Sequence, residues 1–147
     1  MTRAQVREHI FKLLFRVEFN GIEDMPDQIA HYFECPPSGN DEEFSDEAEE
    51  IPEKDALYIT EKYEKIAAML PTLDELIDSA AKGWKASRLG KVDLTILRLA
   101  VYEMKYDEDI PVGVAINEAV ELAKKFGQDE SPSFINGILA KLAKQTD

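Results

Sequence analysis

Apolar residues recur along the chain at the spacing of amphipathic helices. The first helix is predicted from about Thr2 to Phe19, followed by a stop signal at Asn20-Gly21, and a shorter helix is predicted from about Pro26 to Phe33. The first helix carries a stripe at i, i+4, i+7, i+8 and i+11 that is expected to face a core, formed by Val6, Ile10, Leu13, Leu14 and Val17.

The same periodicity continues through the second half of the chain. The predicted elements are, in order, a helix from Lys54 that stops at Pro71, a helix from Pro71 to Gly83 with the proline in its first turn, a short element ending at Gly90, a helix over 91–105, a helix from about Pro111 to Gly127, and a last helix beginning at a capping Ser131. The helix over 91–105 is apolar on most sides, which is typical of a buried central helix. Because no segment alternates with the period of a strand, we predict an all-α fold of about seven helices in two packed bundles.

The helix from Pro111 to Gly127 contains an Asn117-Glu118 pair that resembles a polar site. At about 100° per residue, both residues fall on the arc opposite the apolar one. The apolar arc, which includes Ala115, Ala119, Leu122 and Phe126, is expected to be buried. We therefore interpret Asn117-Glu118 as a surface or inter-helix hydrogen-bonding feature rather than an active site.

The chain carries a formal net charge of −13, which by itself argues against a nucleic-acid partner. That charge is concentrated between residues 34 and 55, where ten acidic residues and one basic residue give −9 and leave −4 for the rest. The 147 residues suit one domain, in which we predict an acidic flexible insertion at about 35–53.

Candidate catalytic and metal-binding groups are few. The single cysteine, Cys35, excludes an intrachain disulfide and a cysteine-cluster zinc site, and neither His9 nor His31 has the partners of a catalytic base. We expect no metal, no cofactor and no enzymatic activity. No apolar run approaches the ~20 residues of a membrane span, so we expect a cytoplasmic protein without membrane contact.

Two local basic strips stand apart from the overall acidity. Residues 82–91 include Lys85 and Arg88 with an embedded Trp84 and no acidic residue, and the first helix places Arg3 and Arg7 one turn apart. Basic strips near an aromatic ring suit contact with an RNA backbone. The alternative is a solvated basic face with Trp84 in the core, and the residues alone leave both open.

Several linked motifs resemble the NusB family. They are Trp84-x-x-x-Arg88-Leu89, then VDLTILRLAVYEM, IPVGVAINEAVELAKKFG and SPSFINGIL in this order, and the N-terminal VREHIFKLLF is also similar to that family's first helix. The resemblance implies an all-helical fold of two three-helix bundles. It also implies a transcription antitermination factor that binds boxA RNA of nascent ribosomal RNA transcripts together with NusE, a ribosomal protein, and joins the RNA polymerase complex, without catalysis or cofactor.

The resemblance also implies residue roles. RNA contacts are expected from Arg3 and Arg7 and from the loop into the last helix, where the matching residues are Glu130, Ser133 and Phe134; NusE contacts are expected from Phe15 and Asp93. Plainer roles stay open: a core position for Phe134 and helix-dipole stabilisation for Asp93. Since only two arginines occupy the N-terminal arm, we predict weak RNA affinity without NusE.

Two other functions are compatible with the resemblance. A NusB-like domain also precedes the catalytic domain of certain rRNA cytosine methyltransferases, but the chain ends at Asp147 without a methyl-donor-binding pattern, so we expect a stand-alone factor. A NusB-like protein-interaction module with little RNA binding of its own is the second alternative. Whether the chain forms a homo-oligomer stays open.

Overall fold

The computed structural model describes residues 1–20, 22–34, 51–81 and 89–144, and within these ranges all regular structure is helical. The elements are α1 (Arg3–Arg16), a 3-10 turn (Ile22–Asp24), α2 (Met25–Glu34), α3 (Glu53–Ala67), α4 (Leu70–Ala80), α5 (Lys91–Tyr106), α6 (Val112–Phe126) and α7 (Ser131–Lys144). The predicted all-α class is confirmed. Residues 35–50 of the predicted acidic insertion and 82–88 of the predicted short element lie outside the described residues.

The chain divides into two compact helical units, Met1–Glu64 and Lys65–Asp147. In the first unit, α1 packs on α2 through a buried polar pair, in which His9 Nδ1 lies 2.5 Å from the Tyr32 hydroxyl. The Arg16 guanidinium lies over the ring of Tyr32, 4.9 Å from its centroid. His9 is thus a packed residue of the first unit.

Helix α3 exposes one of its large apolar side chains. Ile59 and Tyr63 are buried, but Leu57 is 59% exposed. At about 100° per residue, Leu57 points some 200° away from Ile59, so the two residues do not share a face. Burial raises the pKa of the Tyr63 phenol, and the nearby Glu64 carboxylate raises it further.

The break between α3 and α4 follows the chemistry of proline. Helix α3 ends at Ala67, earlier than the predicted stop at Pro71, and Pro71 lies in the first turn of α4. A proline is tolerated there because the first-turn N–H groups have no partner within the helix.

Helix α5 is the centre of the second unit. Ile96, Leu97 and Val101 are fully buried, and α4, α6 and α7 each contact α5. Even Thr95 is buried on this helix, with its hydroxyl donating to the Lys91 carbonyl at 2.7 Å. The prediction of a buried central helix is therefore confirmed.

Two polar contacts tie α5 to its neighbours. Arg98 donates through Nε and Nη2 to the two carboxylate oxygens of Asp74 on α4, both at 2.9 Å. Lys105 Nζ donates to the carbonyl oxygen of Leu142, near the end of α7, at 3.2 Å. The first contact is a bidentate pair, a geometry that guanidinium provides and ammonium does not.

We expect Arg98→Lys to lower the free energy of unfolding by about 1 kcal/mol, since lysine cannot form both parallel hydrogen bonds with Asp74. Urea unfolding followed by circular dichroism measures this change. The control is Lys124→Ala, because the Lys124–Glu121 pair on α6 has side chains 61% and 55% exposed. A loss in the control as large as that in Arg98→Lys contradicts the importance of the bidentate geometry.

Candidate functional site

The first turn of α1 is fixed by a reciprocal pair of hydrogen bonds. The Thr2 hydroxyl accepts from the Gln5 backbone N–H at 3.1 Å, and the Gln5 side chain accepts from the Thr2 backbone N–H at 2.8 Å. Arg3 is exposed in this turn, which contains no acidic residue. The helix N-terminus carries a partial positive charge that favours anions, and Asp55 already lies at this end, 3.4 Å from the Met1 ammonium.

The other cations of α1 have different surroundings. Arg7 is buried, with 6% of its surface exposed. Lys12 pairs with Glu8 at 3.5 Å, and Arg16 donates to the Gln28 side chain at 3.2 Å. Arg3 is therefore the cation of α1 that is most accessible to an outside ligand, and the predicted equivalence of Arg3 and Arg7 does not extend to their exposure.

A ladder of phenylalanines runs from the core along α1 and into the turn that follows the helix. Phe11 is buried and stacks on Phe15 with ring centroids 6.0 Å apart, and Phe15 meets the edge of Phe19 at 5.0 Å. Phe15 is half-buried and Phe19 is 63% exposed. The predicted partner-binding residue Phe15 is thus held by aromatic neighbours on both sides.

Asp93 lies in the first turn of α5, half-buried. Its carboxylate forms no hydrogen bond or ion pair with any other described residue. Its position at a helix N-terminus stabilises the negative charge, in agreement with the plainer role given above. The charge remains available to a cationic group from another molecule.

The turn between α6 and α7 sets the position of the predicted RNA-contacting loop. The Ser131 hydroxyl accepts from the Gln128 backbone N–H at 3.0 Å, so it reaches back into the turn rather than capping α7 as the sequence suggested. Ser131 is buried, and a Cβ added to Gly127 would lie 2.7 Å from the Ser131 Cβ. This close approach requires glycine at position 127.

The predicted residues that follow this turn differ in exposure. Glu130 and Ser133 are exposed, and Phe134 is half-buried in the first turns of α7. Ser133 also borders an open groove of about 500 Å³ between α6 and α7, which is lined by Gly113, Ile116, Asn117, Val120, Pro132, Ser133 and Asn136. The structure therefore places Asn117, of the Asn117-Glu118 pair, on the same groove as Ser133, a predicted RNA contact.

The predicted site residues are distributed over both units. Arg3, Arg7 and Phe15 lie in the first, whereas Asp93, Glu130, Ser133 and Phe134 lie in the second. Lys85, Arg88 and the neighbouring Trp84 fall outside the described residues. Among the residues that are described, no group of His, Cys, Asp and Glu side chains is arranged to hold a metal ion, and no helix is long and apolar enough to cross a membrane.

Comparison with known proteins decides the family. The NusB family model matches residues 4–144, nearly the whole chain. The chain belongs to the NusB family. It is 48% identical to the transcription antitermination protein NusB of Agathobacter rectalis, over 97% of this chain and 100% of that protein. It is 44% identical to the NusB protein of Lachnoclostridium phytofermentans, over 97% of this chain and 98% of that protein.

Solved structures of NusB proteins share the fold. T. maritima NusB is 32% identical, with a TM-score of 0.76 over 99% of this chain and 92% of that one. A second similar chain comes from a structure of the antitermination factors NusB and NusE in complex with double-stranded RNA. It is 19% identical, with a TM-score of 0.74 over 99% of this chain and 100% of that one. At that identity the second likeness concerns the fold alone.

Sequence reasoning missed two features of this NusB chain. The first is Phe19, which extends the ladder to solvent; its spacing of four residues from Phe15 and eight from Phe11 was a readable signal. The second is the placement of Asn117 and Asn136 on the two sides of one groove, for which the sequence holds no signal because it depends on how α6 and α7 pack.

We expect Gly127→Ala to lower the free energy of unfolding by about 1 to 3 kcal/mol, because the new methyl group would overlap Ser131 and the Ala123 carbonyl. Thermal or urea unfolding measures the loss. Gly137→Ala is the matched control: its methyl group meets nothing within 4 Å, so removal of a helical glycine should stabilise α7 by about 0.5 to 1 kcal/mol. Equal stability of the two variants would contradict the close approach.

Proposed function

We propose that the chain is a transcription antitermination factor that binds boxA RNA of nascent rRNA transcripts together with NusE and joins the RNA polymerase elongation complex. The observation that carries this proposal is the family match over residues 4–144. Two relatives that are aligned over at least 98% of their own length are named transcription antitermination protein NusB. In this role the chain acts in the cytoplasm as a binding protein, without catalysis.

The RNA side of the proposal rests on the start of α1. Arg3 is exposed beside the N-terminal N–H groups of the helix, and both favour a phosphate. With Arg7 buried, α1 offers little more than one accessible cation, and a net charge of −13 adds repulsion. We therefore infer that the chain alone binds RNA weakly and that NusE supplies much of the affinity.

The partner side rests on two separate contact points. Phe15 on α1 and the exposed Phe19, in the turn that follows it, present an aromatic surface of the kind enriched at protein interfaces. On α5, Asp93 presents a carboxylate without an ion-pair partner among the described residues, which suits the basic surface of a ribosomal protein.

The alternative is a protein-interaction module with little RNA binding of its own. The burial of Arg7 favours it, since an arginine with 6% of its surface exposed has little area for a phosphate. RNA titrations with and without NusE separate the two functions.

The RNA contact is tested by Arg3→Glu in anisotropy titrations of a boxA RNA with NusE present. We expect affinity to fall about five- to tenfold, because a charge-assisted hydrogen bond is replaced by repulsion. The slope of log K against log salt should flatten by about one unit, the value for one lost phosphate contact. Lys144→Glu, an exposed charge reversal at the end of α7, is the control.

Two outcomes would contradict parts of this proposal. Unchanged affinity and salt slope in Arg3→Glu would remove α1 from the RNA interface and favour the interaction module. Tight binding of boxA RNA by the chain without NusE would refute the inferred weak intrinsic affinity.

The partner contact is tested by Asp93→Lys in calorimetric titrations with NusE. We expect the affinity to fall about tenfold or more, because a basic partner would meet a like charge. Glu75→Lys makes the same charge change at an exposed position of α4 and should have a much smaller effect. Circular dichroism confirms folding in both variants, and equal affinities would place Asp93 outside the interface.

A further inference from the structure

The groove between α6 and α7 has walls of two kinds. Ile116 and Val120 on α6 and Pro132 on α7 are half-buried and give it apolar surfaces. Asn117 on α6 and Ser133 and Asn136 on α7 give it neutral polar groups from both helices. No charged side chain is among the described residues that line it.

The polar groups of the groove are not used within the described part of the chain. Asn117, Ser133 and Asn136 are exposed, and their side chains form no hydrogen bond with other described residues. Each carboxamide offers two donors and an acceptor, and the hydroxyl offers one donor and two acceptors. The groove therefore presents hydrogen-bond donors and acceptors next to apolar surface.

One wall of the groove is open. Gly113 contributes no side chain, and a Cβ placed on it would meet nothing within 4 Å. A ligand can therefore reach Ile116 and Asn117 from the side on which Gly113 lies, since these residues follow Gly113 by about one turn.

We propose that this groove binds one unpaired nucleobase of the RNA. This base site rests on the proposed function. A base has flat apolar faces for Ile116, Val120 and Pro132, and an edge of donors and acceptors for the two carboxamides. The groove does not suit a phosphate, which requires cations that the lining lacks. Single-stranded RNA exposes such bases at low cost.

The position of the groove supports this ligand. Ser133 belongs both to the groove and to the predicted RNA contacts, so the groove continues that surface along α6. Asp129 and Glu130 are exposed just before α7, and their carboxylates repel RNA phosphates. Near this end of α7, a neutral base of the RNA is therefore favoured over its phosphate.

The two open glycines provide a blocking variant and its control. Gly113→Leu places a side chain in the groove, whereas Gly137→Leu places the same side chain on an exposed part of α7 that does not line it. Both variants replace a glycine within a helix, and at both positions an added Cβ meets nothing within 4 Å. Both variants should therefore fold, with similar increases in the free energy of unfolding.

The measurement is an anisotropy titration, with NusE present, of boxA RNA and of a series in which each nucleotide in turn is abasic. For the original chain and for Gly137→Leu, we expect one abasic position to weaken binding about tenfold, the size of one base contact. Gly113→Leu should bind intact RNA about tenfold more weakly, with no further loss at that abasic position. Asn117→Asp, which replaces donors by acceptors, should reduce the same abasic penalty.

Other results would overturn the inference. If Gly113→Leu binds RNA as tightly as Gly137→Leu, or keeps the full abasic penalty, the base does not occupy the groove. If Gly113→Leu weakens NusE binding and leaves RNA binding unchanged, the occupant is protein. If the original chain with NusE does not bind boxA RNA at all, the proposed function fails together with this site, whereas the first two results leave that function intact.

Discussion

The burial of α5 on nearly all sides is the constraint on which the second unit depends. A helix without a solvent-facing side requires apolar stripes from each neighbour, and α4, α6 and α7 supply them. Once α6 and α7 are both held on α5, their mutual packing and the short turn between them are determined. The groove, the exposed Ser133 and the buried Ser131 are consequences of that packing rather than independent features.

Helix existence was predictable because hydrophobic periodicity reports it directly, and α5, α6 and α7 follow the sequence prediction closely. Side-chain surroundings were less predictable. Leu57 is apolar but lies off the buried face of Ile59, and Arg7 shares the chemistry of Arg3 yet is buried. Residue type gives an average exposure, while the individual exposure is decided by neighbours that the sequence pattern does not identify.

The proposed site residues came from two sources. The local basic strips indicated Arg3 and Arg7, whereas Phe15, Asp93, Glu130, Ser133 and Phe134 came from the family resemblance. The net charge of −13 argued against a nucleic-acid partner. That charge arises mainly from the segment between residues 34 and 55 and does not describe the start of α1. Ser131 looked like a cap from its position before Pro132, but the approach of Gly127 places its hydroxyl on the Gln128 amide instead. Such a contact depends on how two helices meet, which no local motif encodes.

The contact of Gly127 with Ser131 also bears on the kinetics of recognition. Because backbone, methylene and hydroxyl fill this turn, Glu130, Ser133 and Phe134 are held at the start of α7 before any ligand arrives. A preorganised surface loses little conformational entropy on binding, and its association rate is limited by diffusion and orientation rather than by loop ordering. Under the proposed function, the tight turn would therefore favour fast association with RNA.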